Sequence, residues 1–332
     1  MQYYMLKIGI IALYNSIHST VTGPYDIFSI AASQSVEQGC GGNVFCSVEI
    51  VTPDESPVIS FNSLSIMGTT TLKENKEFDI IITPAIIGDY GPILKDKQII
   101  EWLRSQHDGG ACLCSICASA FLVAQTGLLK GRNATTHWAL AEKFICDFPE
   151  VHLKPEKMLV DDGDIISAGG VTAYLDLCIY ILKRFGSPAL ASSVSKSLLI
   201  DSSRQTQTPY SSYTFLKNHG DAQILLAQDY IEERFNLFLT ISYVAKITGL
   251  EERTFNRRFK KSTGDTPTEY IQGLRIEAAR KLLETSQESV EFITQEVGYE
   301  DTSSFRRLFK KHTGLSPSEY RKRFSLFYIQ EK

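Results

Sequence analysis

The segment Val244-Ala-Lys-Ile-Thr-Gly249-Leu, followed by Phe255-Asn-Arg-Arg-Phe259-Lys-Lys-Ser-Thr-Gly264 and Pro267-Thr-Glu-Tyr270, decides the architecture of the C-terminal part of this chain, because it occurs twice. It returns as Ile293-Thr-Gln-Glu-Val-Gly298-Tyr, Phe305-Arg-Arg-Leu-Phe309-Lys-Lys-His-Thr-Gly314 and Pro317-Ser-Glu-Tyr320. The first glycines are 49 residues apart, whereas the phenylalanines, second glycines, prolines and tyrosines are all 50 apart. One residue is therefore inserted in the second turn. Each copy reads as a short helix, a glycine turn that accepts backbone angles a side chain would penalise, and a second helix carrying Phe-x-x-x-Phe.

At about 100° per residue, Phe255 and Phe259 share one face of a helix predicted over 251–262. Arg253, Asn256, Arg257 and Lys260 share the opposite face. In the second copy Phe305 and Phe309 point inward, while Ser303, Arg306, Arg307 and Lys310 point outward. An apolar back and a basic, hydrogen-bonding front suit a helix that reads a major groove. Arginine donates in pairs to guanine, asparagine pairs with adenine, and lysines further along neutralise phosphates. A merely solvated charged surface does not account for the duplicated turn and aromatic spacing.

These residues resemble the AraC-type DNA-binding domain over nearly all of 220–325, most specifically in the run from Gly298 to Arg321. The resemblance implies two helix-turn-helix units joined by a long helix, about 267–284, that enter successive major-groove segments of double-stranded promoter DNA. It places base-reading roles on Arg253, Asn256 and Arg257, and on Thr302, Ser303 and Arg307. Thr302 lies off the outward face and suits a helix cap instead.

Working outward, the chain of 332 residues is long enough for two domains, and its 43% apolar and 22% charged composition is that of an ordinary globular protein. The formal net charge of −4 is uneven. Residues 1–215 hold 15 basic and 21 acidic side chains, and residues 216–332 hold 19 and 17. The C-terminal part, at +2, is the one suited to a polyanion. The start of the chain reads as a strand and not a signal peptide, and no run approaches the roughly 18 apolar residues of a membrane span. Seven scattered cysteines without a disulfide framework fit reduced thiols. A cytoplasmic protein with no membrane contact is expected.

Between residues 6 and 182, β-rich apolar runs at 7–13, 44–51, 78–83, 110–116 and 165–167 alternate with helical stretches. Such strands, apolar on both faces, indicate a parallel sheet covered by helices: an α/β flavodoxin-like three-layer sandwich followed by an all-α domain. The polar stretch Ser202-Ser-Arg-Gln-Thr-Gln-Thr-Pro-Tyr-Ser-Ser212 has almost nothing to bury and reads as an exposed connector. The expected division is 1–201, a linker at 202–219, and 220–332.

Within the first domain, Gly110-Ala-Cys-Leu-Cys-Ser-Ile-Cys117-Ala-Ser passes from a β-rich run into a helix. A cysteine at such a turn sits where helix-terminal amides lower a thiol pKa. This stretch, with Thr22-Gly-Pro, Asp79-Ile-Ile-Ile-Thr-Pro84 and the run from Asp162 to Asp176, resembles the PfpI or class I glutamine amidotransferase-like superfamily. More narrowly, it is similar to GlxA-type regulators, which fuse this domain to an AraC-type one. Two departures stand out: Ser119 replaces the elbow glycine, and Thr20 stands where an acidic residue is common. Cys117 and His137 are thus expected in a ligand site of a sensing domain, not in catalysis, with no metal or cofactor. Cys112, Cys114 and Cys117 read as buried apolar residues.

The resemblance implies a homodimer responding to a small-molecule effector, and a regulator leaning towards activation, with RNA polymerase as a further partner. The rival from another class is an active cysteine hydrolase or amidotransferase localised by its DNA-binding domain. A thiol-based redox regulator is a third reading.

Overall fold

In the computed structural model, residues 5–37, 45–74, 76–201 and 203–326 are described. The chain divides into two units, Met1–Gln207 and Thr208–Lys332.

The first unit is built on a seven-stranded sheet. Its strands are β1 (Leu6–Ile11), β2 (Cys46–Thr52), β3 (Thr70–Thr71), β4 (Ile80–Thr83), β5 (Cys112–Ile116), β6 (Leu159–Asp161) and β7 (Ile165–Ala168), in the order β6-β7-β5-β4-β1-β2-β3. Side chains of a strand alternate between faces, so apolar residues at every position require a buried layer on both sides. Ile8 and Ile10 of β1 face one core, together with Val21, Phe28 and Ala31 of α1 (Ser19–Glu37). Ile11 faces the other, with Trp102 and Leu103 of α2 (Lys97–Asp108) and Phe121 of α3 (Ser119–Gln125). The same alternation sends Ile80 and Ile82 one way and Ile81 the other. Further helices, α4 (Ala141–Asp147), α5 (Ala173–Ile181) and α6 (Pro188–Ser197), complete a three-layer sandwich.

The pairing is parallel except at one edge, where β6 runs antiparallel to β7. Neither β6 nor the two-residue β3 was predicted, because such short pieces carry no readable periodicity. The run predicted at 44–51 appears as Cys46–Thr52, and Val44 lies outside the described residues.

The second unit is all helical: α7 (Ala222–Arg234), α8 (Ile241–Ile247), α9 (Glu252–Thr263), α10 (Pro267–Thr285), α11 (Val290–Glu296), α12 (Thr302–Thr313) and α13 (Pro317–Phe324). It contains two separate cores. One gathers Phe255, Phe259 and Tyr270 with Ile224, Ile231 and Val244, and the other gathers Phe305, Phe309 and Tyr320 with Ile276, Leu283 and Ile293. The long helix α10 contributes to both. The inserted residue falls in the second turn, which runs three residues from Gly298 to the cap Asp301, against two from Gly249 to Glu251.

The stretch expected as an exposed connector is instead held at both ends. Thr206 makes a β-bridge with Lys157, and the Gln207 side chain is buried, its Nε2 within 2.8–3.0 Å of the carbonyls of Thr136, Pro155 and Lys157. Beyond it, Tyr213 donates its hydroxyl to Asp265 and its amide to Glu277, and Tyr210 packs edge-on against Phe324 at 5.5 Å. Polar composition predicted exposure, but amides and phenols bury readily once hydrogen-bonded. Ser202 and residues 327–332 lie outside the described residues. Among the described residues, no helix is long and apolar enough to cross a membrane.

Candidate nucleic-acid interface and cysteine elbow

Helices α9 and α12 are built alike from the same local signals. Each ends at a left-handed glycine, Gly264 with φ +85° and Gly314 with φ +74°. In each, the last threonine hydroxyl donates to the phenylalanine carbonyl four residues earlier, Thr263 to Phe259 and Thr313 to Phe309, both at 2.8 Å. The following helices start with matching capping boxes, Thr266 with Glu269 and Ser316 with Glu319. The buried aromatic pairs repeat too: Phe259 meets Tyr270 at 5.3 Å and 82°, and Phe309 meets Tyr320 at 5.4 Å and 86°. With those rings inward, the opposite face of each helix is left to solvent.

On α9, Arg253, Arg257 and Lys260 are exposed and Asn256 is half-buried. None of the three cations forms a salt bridge among the described residues. On α12, Ser303, Arg306, Arg307 and Lys310 are exposed. Arg306 pairs with Glu291 of α11 at 2.8 Å, and Arg307 donates to Ser304 at 3.1 Å. Both contacts lie in solvent, where such pairs contribute only about 0–1 kcal/mol, so a stronger anion displaces them readily. Thr302 is not the cap of its helix. That role belongs to Asp301, whose carboxylate accepts from the amides of Ser303 and Ser304, and Thr302 is the half-buried first residue.

Sequence reasoning missed two arginines that shape this surface. Arg258 turns away from the outward face and grips Asp221, the cap of α7, at 2.6 and 3.0 Å, which ties α9 to α7. Arg275, midway along α10, donates to three backbone carbonyls. Both lie in runs of mixed charge, where spacing alone does not separate a structural arginine from a solvated one.

In the first unit, Cys117 lies at the turn from β5 to α3 with φ +59°, a strained left-handed conformation for a side-chain-bearing residue. Its amide donates to Ala168 at 2.8 Å, and its carbonyl accepts from the Thr136 hydroxyl at 2.8 Å. Ser119, in place of the elbow glycine, is accommodated because its hydroxyl is saturated: it accepts from the Ile116 amide and the Thr83 hydroxyl and donates to the Thr83 carbonyl. Thr20 is equally committed, donating to Ile17 and accepting from Ala85.

The lowered thiol pKa expected at this turn is not found. Burial pushes Cys117 up to about 11, with the Ala118 amide pulling weakly the other way. His137 caps a short turn, its Nδ1 accepting from the Ala139 amide at 3.2 Å while its ring lies against Trp138. Burial lowers its pKa, which favours the neutral ring. Thr136 brings this segment to the elbow, but among the described residues no hydrogen bond joins Cys117 Sγ to His137.

Because the thiolate is the reactive form, iodoacetamide at pH 7 is expected to alkylate exposed Cys146 well before Cys117. Labelling of Cys117 should rise as pH climbs towards 11. Peptide mass spectrometry over a pH series reads this, and equal labelling of the two cysteines at pH 7 would contradict the buried thiol.

Cys112 and Cys114 point into the same core as Cys178, as expected of buried apolar residues. No group of three or more metal-ligating side chains occurs among the described residues.

An α/β sandwich followed by a doubled helix-turn-helix unit defines the class to which this protein belongs: a two-part chain with a DNA-binding fold behind an α/β domain. Comparison with known proteins agrees on both parts. The DJ-1/PfpI family matches residues 14–184, and a helix-turn-helix domain matches residues 244–323. The chain belongs to the DJ-1/PfpI family and carries an AraC-type helix-turn-helix domain behind it.

The chain is similar to the HTH-type transcriptional regulator CdhR of Pseudomonas aeruginosa, with 28% identity over 257 residues that cover 76% of this chain and 75% of that one. It is also similar to the isonitrile hydratase of Pseudomonas putida, 31% identical over 52% of this chain and 69% of that protein. Among solved structures, a THiJ/PfpI family protein from Pseudomonas syringae superposes with a TM-score of 0.51 at 19% identity, covering 69% of this chain and 87% of that one. That likeness speaks to the fold alone.

Proposed function

We propose that this chain is a sequence-specific, DNA-binding transcription regulator whose α/β domain senses a small molecule and does no catalysis. The observation that carries the reading is the pair of matching helices, α9 and α12, each with its phenylalanines buried and its cations exposed. Double-stranded promoter DNA is the partner that suits two such faces, with Arg253, Asn256, Arg257 and Lys260 in one groove segment and Ser303, Arg306, Arg307 and Lys310 in the next. Thr302, the half-buried first residue of α12, is assigned with Ser303 to base reading in that second segment.

The similarity to CdhR, named as a transcriptional regulator, supports this reading along three quarters of both chains. The elbow argues in the same direction. A nucleophile needs a thiolate and a base, yet Cys117 is held neutral by burial and Thr20 and His137 are engaged elsewhere. The resemblance to a hydratase therefore extends to the scaffold, and Cys117 and His137 are assigned to effector binding. A cytoplasmic homodimer that activates transcription through contact with RNA polymerase completes the proposal.

Arg257→Ala or Arg307→Ala is expected to weaken binding to a specific duplex by roughly 1 to 3 kcal/mol and to relax selection at one base pair. Lys260→Ala should weaken all sequences alike and reduce the salt slope by about one. Fluorescence anisotropy with selected and scrambled duplexes over a salt series measures both. Wild-type affinity in both arginine variants would remove these residues from the interface.

A further inference from the structure

The two cores of the helical unit are separate, and α10 passes between them. A helix of 19 residues is about 28 Å long, and recognition helices that enter successive turns of the groove lie about 34 Å apart. One base pair of misplacement rotates the target by about 35°. Each half packs its own core on this helix, so a contact that joins the halves beside it further restrains how the two faces stand in phase.

Arg275 sits at that joint. Its Nε donates to the Phe235 carbonyl at 2.7 Å, one terminal nitrogen to Leu237 at 2.9 Å, and the other to Gly298 at 2.8 Å. The first two carbonyls belong to the loop between α7 and α8, in the first half. The third is the glycine of the second turn, in the other half. The guanidinium also lies 5.0 Å over the Tyr299 ring. The halves touch directly at the same place: a Cβ on Gly298 would come within 2.5 Å of the Asn236 carbonyl oxygen. A planar fork whose donors point in fixed directions restrains rotation as well as distance, which a lysine ammonium does not.

We infer that Arg275 is a positioning residue: by bonding the 235–237 loop and the second turn at once, it sets the spacing and helical phase at which α9 and α12 meet DNA. It touches no base. The inference rests on the DNA-binding reading above for its consequence, but its structural half can be tested without DNA.

The test uses the full chain with Arg275→Ala and, because alanine could loosen the fold, Arg275→Lys. Spin labels on genetically encoded ketone residues at positions 260 and 310 report the distance between the two recognition helices by double electron–electron resonance. Wild type is expected to give one narrow distance and both variants a broadened one, with unchanged circular dichroism.

Separately, a duplex selected from a random pool on the wild-type chain is rebuilt with its two contacted segments moved apart or together by one and two base pairs. Wild type should lose about a hundredfold in affinity at two base pairs, the value of one or two base contacts. The variants should bind the original duplex more weakly and vary less than about threefold across the series. A narrow, wild-type distance in both variants, or a parallel loss at every spacing, overturns the proposal. Failure of the wild type to bind any duplex overturns the DNA-binding reading instead, while the distance measurement still decides whether Arg275 holds the joint.

Discussion

Gly298→Ala is expected to destabilise the second helix-turn-helix by about 3 kcal/mol or more, whereas the equivalent Gly249→Ala should cost only about 1–2 kcal/mol. Both glycines have positive φ, +88° and +71°, so alanine carries a left-handed backbone penalty of about 1–2 kcal/mol at either site. Their surroundings differ. Nothing lies within 4 Å of a Cβ built on Gly249, whereas on Gly298 it meets the backbone of Asn236 at 2.5 Å from O and 2.8 Å from C. That obstacle is main chain and cannot swing aside, so the α7–α8 loop must shift and strain its bonds to Arg275.

Hydrogen exchange followed by mass spectrometry gives the opening free energy of 290–324 and of 241–264 separately. Equal losses in the two variants would show that the close approach at Gly298 has no energetic weight.

Phe309→Ala is expected to remove about 3–5 kcal/mol from the same half, the range for deleting a fully buried phenylalanine. Phe309 has no exposed surface and lies between Phe305 at 5.6 Å and Tyr320 at 5.4 Å, in the core of the second half. Its neighbours are held by aromatic packing and by the helix backbones, so they fill the space only in part. Tyr320 loses the ring that orients it, and with it the support for its hydroxyl bond to Glu284 at 2.6 Å. Because the first half has its own core, opening of 241–264 should change by much less. The same exchange measurement checks this, and a uniform loss over both halves would mean that they unfold as one.

Much of this was legible without coordinates, for identifiable reasons. The inward placement of Phe255, Phe259, Phe305 and Phe309 follows from helical periodicity, and all four are completely buried. The β-rich runs around Ile8, Ile80 and Leu113 announced a sheet covered on both sides, because only such a sheet makes every strand position apolar.

The errors are equally specific. Asp301 and Thr302 are both good capping residues, and adjacent candidates are separated only by where the helix begins. The chain divides within the stretch read as a connector, but its anchoring was not foreseen, because Gln207 and Tyr213 count as polar until their partners, distant in sequence, are known. The thiol of Cys117 was expected low from its place at a helix start, and burial from all sides outweighs that effect.

Spacing along the chain was enough to reveal the doubled helical unit, the α/β sandwich ahead of it, and the faces that carry the cations, since helix and strand periods are local geometry that a linear string records. Which arginine is free and which is a clamp, and whether the elbow thiol ionises, depended on folding. Arg275 acquires its role only when carbonyls 40, 38 and 23 residues away converge on it, and Cys117 its pKa only when the sheet and helices close around it. Long-range closure fixes hydrogen-bond partners and local dielectric, and neither is written in the order of neighbouring residues.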